Sequence, residues 1–93
     1  MYDIVRLNIY LNGVTMKLIA LNLPRNLSEN DLAKLFKAHG NIKACDLVID
    51  DKTGTSKGFG FVEMALEHEA LIAIKALHGS KVNEKIIRVK PAD

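Results

Sequence analysis

Lys57-Gly58-Phe59-Gly60-Phe61-Val62-Glu63-Met64 places a cation, two aromatics and a carboxylate at alternate positions, with glycines and aliphatics between them. On a strand, alternate side chains share a face. Lys57, Phe59, Phe61 and Glu63 therefore point one way, and Gly58, Gly60, Val62 and Met64 the other. Two phenylalanines that share a face with Lys57 and Glu63 are expected at the surface rather than in the core. The opposite face, small and apolar, is expected to carry the packing.

Upstream, Lys17-Leu18-Ile19-Ala20-Leu21-Asn22-Leu23-Pro24 is an apolar run suited to a central strand, ended by the proline, which lacks a backbone donor. Ser28 then caps a helix, with Asp31 three residues on to return the bond in a capping box. Leu32, Leu35 and Phe36 repeat at helical spacing, and Gly40 is expected to end the helix in a left-handed conformation. Ile42 to Ile49 reads as a strand with Cys45, Leu47 and Ile49 on one side and Ala44, Asp46 and Val48 on the other. The polar loop Asp50-Asp51-Lys52-Thr53-Gly54-Thr55-Ser56 leads into the aromatic strand. A second helix runs from Glu67 to Leu77, with Ala70, Ala73, Ile74 and Leu77 buried and His78-Gly79 closing it. After a turn at Asn83-Glu84, Ile86-Ile87-Arg88-Val89-Lys90 forms the last strand, stopped by Pro91.

The order is β-α-β-β-α-β, an α+β, ferredoxin-like split βαβ sandwich: a four-stranded antiparallel sheet with two helices on one face. Residues 16–93 make this domain, and residues 1–15 an N-terminal arm. Within the arm, Ile4 to Leu11 alternates like a strand and Asn12-Gly13 is a two-residue hairpin signal. A first strand at the centre of the sheet has both edges paired, so the arm would run along an outer edge, cross the sheet, or pair with a second copy. The last arrangement gives a homodimer.

The aromatic octapeptide resembles the longer signature of the RNA recognition motif: a basic residue, then Gly-aromatic-Gly-Phe-Val-x-aromatic. Only Met64 departs from it. Leu18 to Leu23, with its Asn-Leu ending, resembles the family's shorter signature, Ile19 standing where an aromatic is usual. The resemblance covers residues 17 to 90, and the isolated short chain is similar to small stand-alone bacterial members. It implies single-stranded RNA as the partner, single-stranded DNA being a second candidate, and a role as an RNA chaperone or post-transcriptional regulator. A surface aromatic pair beside a cation is a platform on which unstacked bases lie. By the resemblance, one of Phe59 and Phe61 stacks on a base while the other packs against a base or sugar. Strand parity adds Ile19, Leu21, Asp46, Val48, Lys57, Glu63, Ile86, Arg88 and Lys90 to the same face. Lys57, Arg88 and Lys90 would hold phosphates, and Asp46 and Glu63 would accept from base amino groups or anchor Lys57 and Arg88. Ile19 removes one stacking surface. The alternative use of this face is a protein contact through its apolar residues.

Composition narrows the remaining choices. Ninety-three residues with 48% hydrophobic content fit one folded domain with a modest core. A net charge of +2 supplies little long-range attraction for polyanions, so any grip on RNA depends on where the basic residues sit. No apolar run approaches bilayer-spanning length, no signal-peptide pattern opens the chain, and the single cysteine fits a reducing compartment. These features together lead to an expectation of cytoplasmic location. No enzyme, cofactor or metal is expected. His39, His68 and His78 lack ligand spacing with one another or with Cys45. His39 and His78 end helices, where imidazole suits the dipole. Cys45 points inward, and Ser28 has its capping role. Lys57-Gly58-Phe59-Gly60 lies in a strand with no helix start after it, unlike a phosphate loop.

Overall fold

A computed structural model describes residues 15–92. Its elements are β1 (Met16–Leu21), α1 (Glu29–Lys37), β2 (Ile42–Ile49), β3 (Ser56–Met64), α2 (Glu67–Leu77), β4 (Lys81–Val82), β5 (Lys85–Ile86) and β6 (Arg88–Pro91). Four strands form an antiparallel sheet in the order β2-β3-β1-β6, while β4 and β5 make a separate hairpin. This is the expected α+β architecture, with the two signature strands side by side at the centre. The arm and the hairpin expected at Asn12-Gly13 lie outside the described residues.

The alternation in β3 holds along its length. Ser56, Gly58, Gly60, Val62 and Met64 are buried, Lys57 is exposed, and Phe59, Phe61 and Glu63 are half-buried. Val62 and Met64 join Leu18 and Ala20 of β1 and Val89 of β6 in one core, closed by Leu32 and Phe36 of α1 and Ala70, Ala73 and Leu77 of α2. Both helices thus cover the same side of the sheet. Burying a Leu or Phe side chain contributes about 1.5–3 kcal/mol, so this single layer carries most of the stability.

Gly60 lies under Leu32 of α1. A Cβ there would lie 2.7 Å from the Asp46 carbonyl oxygen and 2.9 Å from Leu32 Cδ2, so glycine is what lets the helix seat on the strand. The helix itself begins as expected. Asp31 N–H donates to Ser28 Oγ at 3.0 Å, and Ser28 N–H donates to Asp31 Oδ2 at 3.2 Å. The Ser28 backbone N–H above all holds the Asp31 carboxyl below its ordinary value of 3.8; the Ser28 hydroxyl contributes next, and the Lys34 charge a smaller part.

Three local expectations are corrected. The first helix stops at Lys37 with Ala38 as a right-handed cap, and Gly40 is not among the left-handed residues. Gly40 is needed for space: a Cβ would lie 2.6 Å from the Glu69 Cβ, and Glu69 Oε1 accepts the Asn41 N–H at 2.9 Å. β1 ends at Leu21, short of Pro24, because Asn22 turns left-handed (φ 59°) and sends Leu23 into the core. The last strand is also split. Asn83 and Glu84, both at positive φ (46° and 77°), close a tight hairpin of the kind that needs two such residues. Ile86 belongs to that hairpin and is 50% exposed, so the sheet strand begins only at Arg88. Pro91 is the last residue of that edge strand, a position where its missing donor is tolerated.

Candidate nucleic-acid interface

The face of the sheet away from the helices is assembled by register. Phe61 of β3 stands opposite Asp46 of β2 and Ile19 of β1, and Ile19 stands opposite Lys90 of β6. Asp46, Phe61, Ile19 and Lys90 therefore form one row across all four strands, each neighbour about 5 Å from the next at Cβ. Two residues along β1, Leu21 stands opposite Arg88. In the other direction, Glu63 stands opposite both Lys17 and Ala44, and its Oε2 accepts the Thr15 hydroxyl at 2.9 Å.

Phe59 and Phe61 meet edge to face, their ring centroids 6.2 Å apart and their planes at 81°. Perpendicular rings cannot both lie parallel to the sheet. At most one presents its flat surface outward, and the second offers a wall. This geometry suits one stacked base with a second apolar contact beside it, rather than two equivalent stacks.

Two hollows flank the pair. One, of about 610 Å³, is lined by Lys17, Ile19, Phe61, Lys90, Pro91 and Ala92. The other, of about 270 Å³, lies at the Phe59 end and gathers Leu21, Lys57, Phe59 and Arg88 with Asn22, Arg25 and Lys85. Of the residues expected on this face, Ile19, Phe61 and Lys90 share the first hollow, and Leu21, Lys57, Phe59 and Arg88 share the second. Asp46 sits beside Phe61, and Glu63 at the far end beside Lys17. Val48 is half-buried and lines neither hollow.

Lys17, Arg25 and Lys85 were not among the expected residues. Lys17 has the same strand parity as Ile19 and could have been found by it. Arg25 and Lys85 come from outside the central strands, where no periodicity points to them. Asn22 has a structural role at the end of β1: its Nδ2 donates to the Ile86 carbonyl at 2.8 Å, and its Oδ1 accepts from Lys85 Nζ at 3.5 Å.

Two titratable groups elsewhere have structural partners. Cys45 is half-buried against the core, with Sγ 3.8 Å from the Glu29 carbonyl oxygen. Burial, then the charges of Glu29 and Asp46, push its thiol up to about 11, which leaves it protonated at neutral pH. His78 Nδ1 accepts the Val89 N–H at 3.1 Å. That bond ties the end of α2 to β6, a structural role for this histidine at the helix end. Among the described residues no group of His, Cys, Asp and Glu is placed to hold a metal ion.

The chain matches the family model described as the RNA recognition motif over residues 21–88. It is 40% identical over 72 residues to the chloroplastic RNA-binding protein CP31B of Arabidopsis thaliana, which covers 77% of this chain and 25% of that protein. The solved structure of RNA binding protein PG1 superposes with a TM-score of 0.80 at 35% identity, covering 83% of this chain and 93% of that one. A Sex-lethal protein/RNA complex superposes with a TM-score of 0.81 at 37% identity, covering 85% of this chain and 47% of that one. The chain spans about a quarter of the length of the curated relatives it matches.

Proposed function

Because the chain belongs to the RNA recognition motif family, we propose that it binds single-stranded RNA across the open face of its sheet. The observation that carries this reading is the row Asp46–Phe61–Ile19–Lys90 with Phe59 perpendicular to Phe61: a stacking surface at the centre of a face, with a carboxylate at one end of the row and a cation at the other. The likeness to a protein seen in complex with RNA supports it.

In this reading one base stacks on the outward ring of the pair and its neighbour packs against the other. Lys57, Arg88, Lys90 and Lys17 hold the backbone. Asp46 accepts from a base amino group beside Phe61. Glu63 faces Lys17 and the Thr15 hydroxyl, which offset its repulsion of phosphate. With Ile19 in place of an aromatic, one stack worth ~1–3 kcal/mol is missing, so affinity is modest. Residues 16–93 form the binding domain, residues 1–15 act as an accessory arm, and the chain works as an RNA chaperone or post-transcriptional regulator.

The test is titration of labelled short single-stranded RNA and DNA at low and moderate salt. It uses the intact chain, a form beginning at Met16, and the double substitution Phe59→Ala/Phe61→Ala. Stacking at ~1–3 kcal/mol per base predicts at least a tenfold loss of affinity in the double variant, with its melting temperature nearly unchanged. Absence of binding by the intact and the shortened chain, with the double substitution instead dissociating a dimer, would make this face a protein contact.

A further inference from the structure

The smaller hollow has a composition that stacking does not explain. Its lining contains four cations, Arg25, Lys57, Lys85 and Arg88, and among the described residues no carboxylate. They come from four separate places: the turn after β1, β3, the β4–β5 hairpin and β6. Like charges gather in this way at a cost in repulsion, which a bound anion removes.

The cations outside the central strands are also held in place. Arg25 Nη1 donates to the Ser56 carbonyl at 3.4 Å, and among the described residues most of its guanidinium donors have no other partner. Its side chain crosses β3 where residue 58 has no Cβ: one there would lie 2.9 Å from Arg25 Nε. Gly58 is itself left-handed (φ 88°), and its carbonyl accepts the Leu23 N–H at 2.8 Å, which ties the turn carrying Arg25 to the strand. Lys85 Nζ is steered by Asn22 Oδ1, and Asn22 is in turn tied to Ile86.

We propose that Arg25 and Lys85 complete, with Lys57 and Arg88, a phosphate-binding seat beside Phe59. It takes the phosphate oxygens of the strand bound on the sheet, and in this it rests on the RNA reading. Four cations match two successive phosphodiesters or one doubly charged terminal phosphate better than a single phosphodiester.

The experiment measures RNA affinity against salt for the intact chain, Arg25→Gln/Lys85→Gln, and Lys34→Gln/Lys37→Gln. The last pair removes the same charge from exposed positions on α1. Loss of two phosphate contacts is expected to flatten the slope of log affinity against log salt by ~1.4, with base preference unchanged. Equal slopes in the two double variants would overturn the seat while leaving RNA binding intact. Oligonucleotides with and without a terminal phosphate separate the two sources: dependence on that group assigns the monoester, and independence assigns the phosphodiesters. If the intact chain binds no RNA, the RNA reading fails, and inorganic pyrophosphate followed by amide NMR decides the seat by itself. Shifts at Asn22, Leu23 and Gly58 that vanish in Arg25→Gln/Lys85→Gln would sustain it, and a silent titration would end it.

Discussion

Along β3, the side chains that face the helices and those that face away meet different demands. Toward the helices, Gly60 leaves room for Leu32 while Val62 and Met64 fill the core without exposed surface. Every choice there answers to a neighbour already in the molecule. On the other side, Lys57, Phe59, Phe61 and Glu63 have few internal neighbours, and two aromatic rings remain half-open at right angles. The same nine residues are thus a packing surface on one side and a contact surface on the other. Damage to one side should register in stability, and damage to the other in binding.

The sharpest way to break that separation is Gly60→Val. A branched side chain would meet the Asp46 backbone and Leu32 at distances no rotamer relieves. Overpacking of this kind is expected to cost about 3 kcal/mol, read as a lower urea midpoint, with RNA affinity falling only as the folded fraction falls. Affinity lost at full foldedness would show that the two sides are coupled through the strand.

A gain on the open side sharpens it further. Ile19→Phe places an aromatic opposite Phe61 and should tighten RNA binding by ~1 kcal/mol, about fivefold, with little change in melting temperature. Unchanged affinity would mean that the bound strand does not reach β1.

The smallest effect lies at the start of α1, remote from the open face. Asp31 has a depressed folded pKa, so its contribution to stability is present above 3.8 and lost as pH falls through the folded value. Asp31→Asn should therefore be less stable than the parent at pH 7, and the gap should close toward pH 3 in urea unfolding. A gap that persists at low pH would assign the effect to something other than the carboxylate.

Much of this division was readable beforehand, because parity and helical spacing are local. Alternation placed Phe59 and Phe61 outward, and spacing set α2 at Glu67–Leu77. What escaped depends on residues distant in sequence. Gly40 looked like a helix stop, but its need for space comes from Glu69 on the other helix. Ile86 continued an apolar alternation, yet the turn at Asn83-Glu84 draws it into a hairpin. Arg25 and Lys85 lie outside the central strands and become neighbours only when the chain closes. Lys17 was the exception, since its parity with Ile19 was available.

The pairing of β1 with β6 has a consequence in time. Leu18 stands in register opposite Pro91, and the Ala92 N–H donates to the Lys17 carbonyl at 2.8 Å, so the central strand takes its second neighbour from the far end of the domain. During synthesis, β1, β2, β3 and both helices leave the ribosome before that partner does. Until it arrives, one edge of β1 stands open to other chains. Closure then waits on a long-range contact, which makes it a slow event in the folding of so small a domain. A nascent chain halted before residue 88 should hold its helices and its β1–β3 pair while lacking the cooperative unfolding of the finished sheet.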